Sequence, residues 1–425
     1  MKRNETAVCR RDACTTTVLA ILLMVFLGGC EQEQKGEGEM KKGAATFGDD
    51  VQFLKKHMDI LVLSDKEGQA QVAVSPGLQG RVMTSAAAGT QGASFGWINR
   101  ELIASGKKLE HFNPLGGEER FWMGPEGGQF SIFFAKGAAF DLAHWYVPAA
   151  IDTEPFEVVS KSAESAKFSR KCQFVNYSGT KFDVDISREI RLLAPDEVWP
   201  KLGVPKAGGV KMAAFESVNR ITNAGKEAWK KDTGQLSIWI LCMFNPSPTT
   251  TIVVPIKPGA EKDLGPQVNA DYFGRVPPER LIVKENVVFF SADGKCRGKI
   301  GVNPKRCKAV LGSYDSAGKV LTLAQFTFDP GRTDYVNSMW KIQDDPFAGD
   351  TANSYNDGPP APGVKPMGPF YEIESSSPAA ALEPGKTLEH VHRTIHLQGP
   401  AEQLDAIAQA VLGVGIKEIE GAFKK

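Results

Sequence analysis

A chain of 425 residues with 42% hydrophobic content, 43 glycines and 26 prolines can bury a sizeable core. A domain usually spans about 100 to 200 residues, yet one large β-sandwich can absorb this whole length. Fifty basic and fifty acidic residues cancel, and no basic cluster interleaved with aromatics occurs, which argues against a nucleic-acid partner.

At the N-terminus, Lys2, Arg3, Arg10 and Arg11 precede an apolar run, Val18 to Leu27, of secretory rather than membrane-spanning length. Leu27-Gly28-Gly29-Cys30 then sets small residues directly before a cysteine. This pattern resembles the bacterial lipobox, which implies cleavage before Cys30 and a lipid on its sulfur; an ordinary secretory signal is the alternative. The expected division is a signal peptide over 1–29, a lipidated Cys30 with a flexible tether over 30–45, and one β-sandwich domain over 46–425. The tether, EQEQKGEGEMKKGAA after Cys30, has almost nothing to bury and averages roughly 20 Å end to end. Glu31 is not the aspartate that favours inner-membrane retention, so the expected location is the outer membrane, facing the periplasm, with surface exposure as the alternative.

Of seven cysteines, Cys9 and Cys14 leave with the signal and Cys30 is lipidated. Cys296 and Cys307 flank RGKIGVNPKR, which reads as a hairpin that an exported chain either bridges by a disulfide or leaves open. Cys172 and Cys242 sit in apolar, strand-like contexts and read as buried thiols.

Asp49 to His57 predicts a short helix capped by Asp49. After it the hydrophobic period changes to two. Ile60 to Ser64, Gln71 to Ser75 and Gly80 to Ser85 read as an antiparallel meander. Phe95 to Ile103 adds an aromatic segment whose Asn99 and Arg100 face a pocket or a loop.

The stretch Leu115 to Phe134, LGGEERFWMGPEGGQFSIFF, packs Glu118, Glu119, Arg120, Trp122 and Glu126 between Gly-Gly turns. Alternation along a strand puts Arg120 and Trp122 on one face and Glu119 and Phe121 on the other. A ring beside a charge suits a sugar, whose flat apolar face stacks while its hydroxyls take bidentate hydrogen bonds. A buried Arg and Glu pair that stiffens a loop is the competing reading.

Phe140 to Val147 places His144 beside Trp145 and Tyr146. Further strands are expected at Glu157 to Ser160, Ala166 to Val175, Lys181 to Leu193, Met212 to Thr222, Gln235 to Phe244, Ile252 to Ile256, Leu281 to Phe290, Ala309 to Tyr314 and Leu321 to Phe328. Lys341 to Pro369 reads as a long loop in which Tyr355, Asn356 and Asp357 close over a ligand. Strands Phe370 to Ser376 and Leu388 to Leu397 follow, and a C-terminal amphipathic helix carries Leu404, Ile407, Ala408, Val411 and Leu412 on one stripe. With no helix longer than two turns expected between residues 60 and 398, the fold class is all-β, a large antiparallel sandwich with a few short helices.

The Arg81 strand, the GGEERFWMGPE segment, the VNRITN strand from Val218 to Asn223, and the late EIESSSP with its LEPGK turn together resemble the galactose mutarotase-like (aldose epimerase-like) superfamily, in particular its uncharacterised exported bacterial lipoproteins. The resemblance spans roughly residues 50 to 400. It implies a β-supersandwich with a sugar-sized concave site, and a His and a carboxylate that shuttle protons at the anomeric carbon. Here Glu372 or Glu374 is the expected base and His144 the nearest acid, although the usual His motif is not recognisable around it. Glu118, Arg120, Trp122, Glu126, Asn356, Asp357, His390 and His392 are the expected substrate-binding residues.

No cofactor is expected. On the strand where His390, His392 and His396 share a face, that face reads as wet or pocket-lining, with a catalytic histidine or a metal as the alternatives; His390 and His392, about 6 to 7 Å apart, suit one divalent ion that His396 does not reach. The functional expectation is a lipid-anchored, periplasm-facing protein whose partner is a carbohydrate, either a sugar epimerase or mutarotase or a binder without turnover. A structural or protein-binding envelope lipoprotein is the alternative from a different class.

Overall fold

Nearly every segment with a period of two becomes an antiparallel strand. A computed structural model describes residues 45–424; the expected signal peptide, Cys30 and all of the tether but Ala45 lie outside the described residues. In chain order the strands are β1 (Leu61–Ser64), β2 (Gln71–Ser75), β3 (Arg81–Ala86), β4 (Arg120–Gly124), β5 (Glu157–Lys161), β6 (Ser165–Val175), β7 (Lys181–Leu192), β8 (Lys211–Asn223) and β9 (Ser237–Phe244). There follow β10 (Thr250–Pro255), β11 (Leu281–Val283), β12 (Val287–Ser291), β13 (Gly298–Val302), β14 (Val310–Asp315), β15 (Val320–Phe326), β16 (Ala352–Asn356), β17 (Tyr371–Ser376) and β18 (Thr387–Gln398). The helices are short: α1 (Phe47–His57), α2 (Arg100–Ser105), α3 (Ala149–Asp152), α4 (Pro195–Leu202), α5 (Glu261–Leu264), α6 (Ala401–Leu412) and α7 (Ile416–Gly421).

Three sheets result. A ten-stranded sheet runs β11-β12-β10-β14-β15-β18-β8-β7-β6-β5, a five-stranded sheet runs β13-β16-β17-β9-β4, and β1-β2-β3 form a small third sheet. The two larger sheets pack face to face. On β7 the inward positions are Phe182, Val184, Ile186, Arg188, Ile190 and Leu192, so an arginine sits among core apolar residues. On β9 every residue is buried, which is the mark of a strand covered on both faces. Its Ile240 and Cys242 face the ten-stranded sheet, and its Trp239, Leu241 and Met243 face the other way into a cleft.

The C-terminal stripe does cap a sheet. Leu404, Ile407, Ala408 and Leu412 of α6 cover Val253, Phe289, Leu321, Leu323, Ile395 and Leu397 on the outer face of the ten-stranded sheet.

Four local expectations are corrected. The first helix starts at Phe47 and is capped by Thr46, with Asp49 as the reciprocal partner of a capping box. The single strand expected at Leu281 to Phe290 is the hairpin β11-β12, turned at Lys284, whose N–H donates to Val287 O at 2.9 Å. The hairpin expected between Cys296 and Cys307 is one strand, β13, and both cysteines are free thiols. The long loop expected from Lys341 contains β16, a central strand between β13 and β17. Its sequence, ANSYN, lacks alternating apolar residues because its side chains are satisfied by hydrogen bonds, such as Ser354 Oγ to Glu372 O.

A candidate functional cleft on the five-stranded sheet

The chain enters β4 through Gly116 and Gly117, both at positive φ, 91° and 122°. A Cβ on Gly116 would stand 2.2 Å from Trp97 O, so no side chain fits there. From this turn Arg120 and Trp122 project into the cleft while Glu119 and Phe121 project into the interior, as alternation requires.

Strand register then builds the cleft floor. Arg120 pairs with Leu241, and Leu241 with Glu374; Met243 pairs with Glu372, Glu372 with Tyr355, and Tyr355 with Lys299. Residues in register share a face, so Arg120, Glu372, Glu374 and Lys299 are gathered from three strands, β4, β17 and β13, onto one surface. Loops raise the walls with Phe112, Glu126, Trp145 and Trp340. The cavity measures about 110 Å³, room for several waters or one small ring that displaces them.

Two charged groups of opposite sign meet at the bottom. Arg120 Nη2 donates to Glu372 Oε1, and both side chains are buried. The Arg120 guanidinium also lies over the rings of Trp122, 4.9 Å from its centroid, and Phe112, 5.7 Å away. Beside them Lys299 Nζ donates to Glu374 Oε2 at 2.8 Å, Trp239 Nε1 donates to the same oxygen at 2.9 Å, and Lys299 stacks over Trp239 at 4.7 Å.

Several donors remain free. Nε and Nη1 of Arg120, and the indole N–H groups of Trp122 and Trp145, are buried without a protein acceptor, whereas the Trp340 indole faces the Glu126 carboxylate. Buried donors left unpaired cost about 1–3 kcal/mol each unless something accepts from them. The cleft therefore offers aromatic faces and unfilled donors together.

Burial dominates the electrostatics. It pushes the Glu372 carboxyl up to about 7 against the pull of Arg120, and pushes Glu126 up to about 7 against the pull of Lys299. Burial works against the charge on Lys299, but Glu374 and Glu126 outweigh it and hold its pKa above the ordinary value. Two carboxyls that change protonation near neutrality thus line one cleft.

Of the residues expected from sequence, Arg120, Trp122, Glu126 and Glu372 line the cleft, and Glu374 sits beside it on Lys299. His144 is not among them. It is exposed and bonded to Asp141 at 2.7 Å, in a loop that sends Leu142 and Trp145 to the cleft instead. Glu118 points inward and accepts from Ser85 Oγ at 2.6 Å and bonds His396 Nε2 at 2.9 Å. Asn356 and Asp357 are buried behind the cleft wall: Asn356 accepts from Gly294 N at 2.9 Å, and Asp357 accepts from Tyr355 Oη at 2.9 Å and Gly368 N at 2.8 Å. His390 and His392 lie between the two large sheets and share Ser375 Oγ, 2.8 Å from each. Their face is not wet, because the five-stranded sheet covers it; burial pushes His390 down to about 3 and His392 well below the usual range.

Tyr355, expected to close over a ligand, does line the cleft; Lys299, Trp239 and Trp340 were missed as cleft residues. Lys299 carried a signal, a lone cation in the apolar strand GKIGV; the others carried none apart from being aromatic.

A family model described as a family of unknown function, DUF6786, matches residues 45–423. The chain belongs to DUF6786. No curated protein matches this DUF6786 chain. Solved structures similar to it include the Slr1438 protein from Synechocystis sp. PCC 6803, 12% identical over 81% of this chain and 96% of that one, with a TM-score of 0.46. A galactose mutarotase-like protein from Lactobacillus casei ATCC 334 is 11% identical over 80% of this chain and 100% of that one, TM-score 0.43. A galactose mutarotase related enzyme from Lactobacillus acidophilus is 11% identical over 80% and 97%, also with a TM-score of 0.43. Two of these three are described as galactose mutarotase-like or mutarotase-related.

Proposed function

We propose that the cleft binds a carbohydrate and that Glu372 and Glu126 form its proton-handling pair. The observation that carries this reading is the Arg120–Glu372 pair, set in a ring of aromatic side chains with unpartnered donors on Arg120 and the Trp122 and Trp145 indoles. Sugar hydroxyls accept from such donors, and the apolar ring face stacks on an indole.

For anomer exchange, one carboxylate takes the proton of the anomeric hydroxyl while the other, protonated, gives a proton to the ring oxygen. The bond between the anomeric carbon and the ring oxygen breaks, an open-chain carbonyl forms, and reclosure on the other face reverses both transfers. Such a pair works best when both pKa values stand near the working pH. Glu372 and Glu126 meet that condition, and Glu126 takes the part that the sequence reading gave to His144. The N-terminal pattern supports an envelope address, with a lipid on Cys30 and the domain facing the periplasm.

Glu372→Gln is expected to slow anomer exchange of a bound sugar by about 10²- to 10⁴-fold, the usual worth of a general acid or base, and to leave the dissociation constant within tenfold. Exchange followed by magnetization transfer, against calorimetric binding of the same sugar, separates the two. An unchanged exchange rate in the variant contradicts the assignment. No histidine lines the cleft among the described residues, which favours a second reading, binding without turnover; saturable binding with no exchange in the unsubstituted protein identifies it.

A further inference from the structure

On the far side of the β4 and β9 strands from the cleft, Glu119, Cys242 and His392 converge between the two large sheets. All three are buried, and one ligand atom from each lies within 4.8 Å of the others. Cys242 Sγ stands 3.5 Å from His392 Nε2. A tetrahedral ion with bonds of about 2.3 Å to sulfur and 2.0 Å to nitrogen sets those two atoms about 3.5 Å apart.

Two further observations point to an occupant. Glu119 uses Oε1 to accept from Arg188 Nη2 at 2.8 Å, and its Oε2 is buried with no hydrogen bond of ordinary geometry, the Ser217 hydroxyl lying near the carboxylate. Thr394 Oγ1, on the same face of β18 as His392, is buried beside the Cys242 thiol, which it reaches without a hydrogen bond of ordinary geometry. A buried carboxylate oxygen with no well-formed hydrogen bond, beside a thiol and an imidazole, completes a set of three electron-pair donors that face one another.

We propose that Glu119, Cys242 and His392 hold a zinc ion that fastens the five-stranded sheet to the ten-stranded one. Sulfur and imidazole nitrogen select zinc over magnesium or calcium, which take oxygen ligands. His392 Nδ1 rests on Ser375 Oγ at 2.8 Å, which leaves Nε2 for the metal and fixes the ring, the outer-shell arrangement that metal-binding histidines use. Burial holds the Cys242 thiol well above its ordinary value, so the metal-free site keeps its proton. Binding releases that proton to solvent and leaves a zinc thiolate. His390 takes no part, because Ser375 stands between it and His392. The ion would brace the cleft floor from behind, since Glu119 precedes Arg120, and Cys242 lies between Leu241 and Met243.

The test is metal analysis of the full chain purified without chelator, and of the chain refolded with zinc. One zinc per chain and a raised thermal midpoint are expected, with loss of the metal in Cys242→Ser and in His392→Gln. Cobalt in place of zinc gives a readout that needs no variant to fold: a sulfur-to-cobalt charge-transfer band with tetrahedral ligand-field absorption. No zinc uptake on refolding, a cobalt spectrum without the sulfur band, or zinc that stays in both variants overturns the proposal.

Discussion

Arg120 and Glu372 hold each other's charge in a site that water reaches poorly. Replacing Arg120 by Met leaves a buried carboxylate with no cation against it, and breaking a buried pair from one side costs about 3–5 kcal/mol. Arg120→Met is therefore expected to lower stability by roughly that amount, less whatever Glu372 recovers by taking up a proton; denaturant unfolding measures it, and a change below about 1 kcal/mol contradicts the pairing. The pH dependence follows from the same carboxyl. Glu372 has an ordinary pKa of 4.5 and a folded pKa of about 7, so the folded state binds the proton more tightly than the unfolded chain does. Its contribution is fully present below about 4.5 and is lost as pH rises through about 7, a decline on the order of 3 kcal/mol. Glu372→Gln is expected to flatten that part of the stability profile, and an unchanged slope between these limits contradicts the shift. At this scale the sequence was legible only in part. Parity on one strand separated Arg120 and Trp122 from Glu119 and Phe121, but the partner of Arg120 lies 252 residues away, and nothing in either segment names the other.

Element by element, legibility followed the hydrophobic period. β7 alternates and was readable, because one face is core and the other meets water. β16 was not readable, because a central strand filled by Asn, Ser and Tyr shows neither alternation nor an apolar run. α4 was not anticipated; Pro195 stands at its first position, where proline is favoured, and Pro200 lies in the last turn of an eight-residue helix. The histidine strand shows the opposite failure. Its parity was right, yet polar residues at every second position suggested a wet face, where the structure has a buried polar layer of His390, His392, Thr394 and His396. α6 was read correctly as a cap, and its fully buried Leu404 gives a clean measure of what the cap contributes. Leu404→Ala is expected to cost about 2–5 kcal/mol, and more than half of that loss should appear as faster unfolding if the C-terminal helix docks late. A cost below about 1 kcal/mol would show that α6 does not cover the sheet as described.

Over the whole molecule, the two large sheets divide the work. The ten-stranded sheet carries the core and its helical cover, and the five-stranded sheet is buried on one face and chemically equipped on the other. Motif resemblance reached this architecture because the glycine turns around β4 and the strand-turn-strand of β17 and β18 are local. The cleft itself is assembled by register among strands far apart in the chain, together with loops that bring Trp145 and Trp340. The central claim, that this face binds a carbohydrate, is tested most directly by a thermal-shift screen of the protein against monosaccharides, sugar acids and short glycans, repeated on Trp145→Ala. A ligand at a hundred times its dissociation constant adds about 2.7 kcal/mol of stability. The expected result is a reproducible hit that weakens by about 1–3 kcal/mol when the partly exposed Trp145 ring is removed. No shift across the panel, or a shift indifferent to Trp145, would contradict the claim.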